Sequence, residues 1–186
     1  MTSPQPSPAP SPGSSGDPVA SGSPAPAGSG VAPTAESPTG LAEDTAKALQ
    51  LVLATEHSAV WAYGLIAAFD KDNLTSITAM RDAHLVRRND TSARLTAAGV
   101  KPAVPAAAYK VPVTVKDAAT ARQLALAVES DNAAAWLGVV AATDDTALRS
   151  YALAGLTDAA VRSTTWKIIT KAKPTTTAFP GRPASD

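Results

Sequence analysis

Residues 100–116 read VKPAVPAAAYKVPVTVK. Pro102, Pro105 and Pro112 each remove a backbone donor and clash with the preceding helical turn, so this stretch cannot be a helix. On both sides of it the chain has helical periodicity. Upstream, two segments (about 41–69 and 74–98) are separated only by Asp70-Lys71-Asp72-Asn73, and downstream, two more (about 117–142 and 146–171) are separated only by Thr143-Asp144-Asp145. Connections this short make each pair an antiparallel hairpin. The seventeen residues between the pairs span roughly 55 Å when extended. Each helix is about 40 Å long at 1.5 Å rise per residue, so the connection can travel the whole bundle.

Two hairpins joined by one long crossover leave the second and third helices parallel. This is the ferritin-like arrangement, as opposed to a simple up-down-up-down bundle. The predicted fold is therefore all-α: an antiparallel four-helix bundle over residues 41–183 with an extended C-terminal tail. Leu49, Val52, Leu53, Glu56, Val60 and Tyr63 share one face of the first helix, and Ile77, Met80, His84, Arg88, Thr91 and Leu95 one face of the second. The third presents Leu124, Val128, Asn132, Ala135, Trp136 and Val139, with Glu129 to one side. The fourth presents Leu148, Tyr151, Gly155, Ala159, Arg162, Trp166 and Ile169. Gly99 suits the position just past the second helix, and Pro174 ends the fourth.

Residues 1–40 differ in kind. They hold ten of the sixteen prolines and six of the eleven glycines, with Asp17 and Glu36 as the only charged side chains. Such a segment buries too little apolar surface to offset its chain entropy, and it is expected to be a disordered arm, either a tether to a membrane or partner or a tail with no specific role. The net charge of zero argues against nucleic-acid binding. Having no cysteine removes disulfides, thiolate metal sites and Cys nucleophiles. No stretch reads as a membrane span and no export signal is visible. The expected compartment is the cytoplasm as the sequence stands, or the cell exterior if an upstream signal precedes it. A homodimer is compatible with the pattern.

Every helix carries ionisable groups near the middle of its apolar face: Glu56; His84 and Arg88; Glu129; Asp158 and Arg162. Four helix midpoints meet at one level of a bundle, so these groups are expected to converge. Burying charge is costly unless it is paired and hydrogen-bonded. Two solutions exist. A di-iron or di-manganese bundle uses one Glu from each of two helices and Glu-x-x-His from the other two. Glu56 and Glu129 fit the single-Glu positions, and Glu56, His84, Glu129 and Asp158 would be the ligands. The second helix, however, offers Arg81 in place of the Glu before His84, and the fourth offers Val161 in place of the His after Asp158. A closed network of Glu56, Glu129 and Asp158 with Arg88, Arg162 and His84 satisfies the charges without a cofactor. It is the favoured reading, because arginines beside a metal pair would repel it. Trp61, Trp136 and Trp166 read as packing residues. Gly64, Gly138 and Gly155 read as points of close helix approach, with room for a small ligand as the alternative.

The segments ATEHSAVWAYG (54–64), HLVRRND (84–90) and TDAAVRSTTW (157–166), with YKVP (109–112) and AFPG (178–181), together resemble an actinobacterial ferritin-like domain family of unknown function. The resemblance runs from about Leu41 to Pro183. It implies a ferritin-like bundle, often found in exported proteins or lipoproteins, and no established activity. The expected role is a non-enzymatic binding or interaction module, with a carboxylate-bridged iron or manganese protein as the alternative. In the tail, Phe179 is expected to fold back onto the bundle, since a Phe left in water forgoes about 1.5–3 kcal/mol.

Overall fold

In a computed structural model of the chain, which describes residues 40–182, four helices carry the fold: α1 (Glu43–Phe69), α2 (Leu74–Ala97), α3 (Ala118–Ala142) and α4 (Thr146–Ile169). There is no strand among the described residues. The molecule is an all-α four-helix bundle. The expectation of a disordered arm falls on residues 1–39, which lie outside the described residues.

Local chemistry sets the helix ends. Glu43 and Asp44 stand in the first turn of α1, where negative charge suits the helix dipole. Asp117 and Thr120 form a reciprocal capping box at α3, and the Asp145 carboxylate accepts from Leu148 N at the start of α4. These caps satisfy amides that the first turn leaves without partners. Gly99 stops α2 with φ at 75°, while the amides of Gly99 and Val100 bond back to Thr96 and Leu95 carbonyls. That is the left-handed cap expected of glycine. α4 closes through the same pair of bonds, from Lys171 and Ala172 to the Ile168 and Lys167 carbonyls, so it ends before Pro174 is reached. Here a lysine takes the left-handed position, with φ at 56°.

Cross-helix bonds fix the directions. The Thr45 hydroxyl donates to the Ala142 carbonyl at 2.5 Å, and Asp70 accepts a two-pronged bond from Arg122 at 2.7 and 2.9 Å, so α1 and α3 are antiparallel. Arg87 with Asp158 and Thr91 with Tyr151 set α2 antiparallel to α4. α2 and α3 therefore run parallel, and the crossover covers the length of α1. Gln50 bonds the Lys101 carbonyl and the Ala103 amide, Tyr109 packs on Trp61 with ring centres 5.9 Å apart, and Val111, Val113 and Val115 pack against the apolar cluster around Tyr63 and Ile66.

α1 packs on α2 and α3, and α3 on α1 and α4. This central pair is correspondingly apolar. By length and composition both α1 and α3 could cross a bilayer, which corrects the expectation that no stretch reads as a span. In this fold their apolar length is used for burial on two sides, and each also carries a buried carboxylate.

Two further expectations need correction. Gly64 and Gly138 are exposed, with nothing near the place of a side chain, and only Gly155 of the three marks a close approach: a Cβ there would meet the Trp136 ring at 2.5 Å. Phe179 does not dock, being 66% exposed. The tail is held instead by Gly181, whose backbone (φ 83°) lies so close to the Ala133 carbonyl that a Cβ would come within 2.5 Å of it. Lys167 Nζ adds a bond to the Thr177 hydroxyl at 2.7 Å. Backbone proximity, which needs a residue without a side chain, does what the aromatic ring was expected to do.

Candidate functional site

The bundle's two apolar clusters lie toward opposite ends, and a polar layer separates them. Its axis is His84, fully buried on α2. Nδ1 lies 2.7 Å from Glu56 Oε2, and Nε2 lies 3.1 Å from Glu129 Oε1. Glu56 Oε1 accepts from Trp136 Nε1 at 3.1 Å. Glu129 Oε1 also accepts from Tyr63 Oη at 2.5 Å, and Glu129 Oε2 accepts from Arg162 Nε at 2.8 Å. Trp166 Nε1 donates to Tyr63 Oη at 2.9 Å. Every carboxylate oxygen in the layer has a donor, and each helix contributes at least one member.

The charges follow from this geometry. A neutral imidazole donates from one nitrogen only, so two carboxylate partners favour the imidazolium. Burial opposes that charge, but the hydrogen bonds and charges of Glu129 and Glu56 outweigh it and hold His84 above the ordinary histidine range. Burial likewise opposes ionised Glu129. His84, Arg162 and Tyr63 overcome it and hold the carboxyl below its ordinary value. Tyr63 is pushed well above the usual phenol range by burial and by the adjacent Glu129 charge. Two carboxylates face one imidazolium and one guanidinium, so the layer is neutral without any added ion.

The structure brings together four of the six residues expected here: Glu56, His84, Glu129 and Arg162. Arg88 is a correction. It is half-buried outside the layer and bonds the neighbouring Asn89 side chain, because it stands one turn further along α2 and about 40° round from His84. Asp158 is the other. It pairs with Arg87 at 2.5 Å rather than with Arg162, and its side chain is 47% exposed. Arg87 also lies over the Trp136 and Tyr151 rings, 5.7 and 5.1 Å from their centres. The sequence reading missed the polar ends of Tyr63, Trp136 and Trp166. The available signal was that a buried indole N–H or phenol O–H needs an acceptor, and the layer holds carboxylates one or two turns away.

A di-metal centre does not fit these donors. The His84 ring fills the space between Glu56 and Glu129 and uses both its nitrogens there. Arg162 is bonded to the carboxylate that would have to bridge, and Asp158 faces outward. Among the described residues, no group of three His, Cys, Asp or Glu side chains is placed to hold a metal ion.

No curated protein matches the chain. Among solved structures, a conserved hypothetical protein from Mycobacterium tuberculosis, Rv2844, matches with a TM-score of 0.68 at 35% identity, over 74% of this chain and 97% of that one. A family model described as a domain of unknown function, DUF4439, matches residues 48–184. With all but the first turn of the bundle and most of the tail inside that match, the chain belongs to the DUF4439 family.

Proposed function

We propose that this protein is a non-enzymatic binding or interaction module: a ferritin-like bundle in which a neutral Glu/His/Arg layer stands where a related di-metal protein would hold its ions. The observation that carries the reading is the saturation of the layer. His84 is bonded at both nitrogens and each oxygen of Glu56 and Glu129 has a donor, so a metal would have to displace hydrogen bonds that the layer already makes. In this reading the cluster serves the registry and specificity of packing, a buried ion pair being weak evidence of net stability. The Pro/Ser/Ala/Gly-rich arm fits a tether that presents the bundle at a membrane or to a partner, and the zero net charge fits partners other than nucleic acid. The test is elemental analysis of protein purified without added metal, alongside its melting curve. A cooperatively folded protein with substoichiometric iron and manganese is the expected result. Near two equivalents of either metal per chain would overturn the reading in favour of a carboxylate-bridged metal protein.

A further inference from the structure

Beside the polar layer, a groove of about 670 Å³ lies between α3, α4 and the tail. That volume lies within the usual 300–1,000 Å³ of small-molecule sites. Its walls are apolar (Leu126, Ala133, Leu153, Leu156, Ala160, Val161) and carry hydroxyls from both α4 and the tail. Leu153 and Val161 are 53% and 60% exposed, which is costly for side chains that nothing covers. The tail crosses this groove as a strap. It is pinned near one end by the Lys167–Thr177 bond and toward the other by the close approach of Gly181 to Ala133.

The charged groups on the lining are three. Glu129 lies at the floor, but its charge is neutralised by His84 and Arg162. Lys167 and Arg182 stand on the rim, and neither forms an ion pair among the described residues. An apolar trough with a neutralised floor and cations on its rim complements one kind of small molecule. We infer that the groove binds a single-chain anionic amphiphile, its hydrocarbon lying between α3 and α4 under the tail and its acidic head meeting Lys167 or Arg182. This rests on the binding-module reading and gives that module a ligand class.

The test uses the full-length protein and dodecanoate below its micellar concentration, with uncharged dodecanol as the comparison, followed by titration calorimetry. Dodecanoate is expected to bind with one site per chain, and dodecanol at least tenfold more weakly. Arg182→Gln, an exposed exchange that keeps the Lys167–Thr177 pin, should weaken dodecanoate several-fold and leave dodecanol unchanged, and adding Lys167→Gln should abolish the difference between dodecanoate and dodecanol. Ala160→Phe, which fills the groove, should abolish both, and Val161→Arg serves the same purpose should Ala160→Phe fail to fold. No saturable binding to the wild type, or binding that survives a folded groove-filling variant, would overturn the inference. Metal content measured on the same preparations separates the two failures: two metal equivalents would sink the proposed function, whereas absent dodecanoate binding in metal-free protein would sink only the ligand assignment.

Discussion

Arg162 and Asp158 lie one turn apart on α4, yet they belong to different environments, and this sets their worth. The Arg162 side chain is 9% exposed and bonded to a fully buried carboxylate. Removing it leaves Glu129 short of one counter-charge in a medium that screens poorly. Breaking one partner of a buried pair typically costs about 3–5 kcal/mol, and Arg162→Ala is expected to fall in that range by chemical denaturation. Asp158 is half exposed, where ion pairs contribute about 0–1 kcal/mol, so Asp158→Ala should change stability little. Equal losses in the two variants would contradict the layer as drawn. The pair also shows what the sequence could and could not reveal at this scale. Helical spacing placed Glu56, His84, Glu129 and Arg162 at one level, because the 3.6-residue period fixes the face and the count from each turn fixes the depth. It could not choose between Arg87 and Arg88, or turn Asp158 away from Arg162, because those choices depend on which neighbour each side chain meets.

Among elements, the ends were legible where a residue has one dominant use. Asp117, Asp145 and Gly99 cap as their chemistry dictates. The turn after α1 was legible only as a turn: that Asp70 would be buried and gripped by Arg122 across to α3 depends on a partner 52 positions away. The end of α4 was legible to within two residues, but not the turn that makes it, because Lys171 is of a residue type that rarely takes a left-handed conformation. A non-glycine residue there costs about 1–2 kcal/mol. Lys171→Gly is therefore expected to raise stability by about 1 kcal/mol, the side chain being exposed and making no ion pair among the described residues. Gly155→Ala should act oppositely. Its methyl would overlap the buried Trp136 ring, and overpacking of this kind costs about 1–3 kcal/mol. Thermal melts of the two single variants check both signs.

For the molecule as a whole, the crossover settled the architecture from sequence alone, since loop lengths decide which helices can be antiparallel neighbours. The polar layer through its middle then makes stability depend on pH in a direction that can be worked out. His84 has a folded pKa above its ordinary 6.5. Its contribution is fully present below pH 6.5 and is lost as pH rises through the folded value. Glu129 has a folded pKa below its ordinary 4.5. Its contribution is fully present above pH 4.5 and is lost as pH falls through the folded value. Both operate in full between those two ordinary values, so the melting temperature should peak on the acid side of neutrality and decline through the alkaline range. The acid limb is shared with other groups, because Arg122 holds Asp70 below its ordinary value too. The alkaline limb is more specific. The other histidine, His57, is held below 6.5, chiefly by burial, and so contributes with the opposite sign. His84→Gln, measured by thermal melting from pH 5 to 9, should be less stable than the wild type at pH 5 and lose the alkaline decline, so that the two curves converge as pH rises. Parallel curves would mean that His84 carries no folded-state charge, and that one of the two carboxyls holds the proton instead.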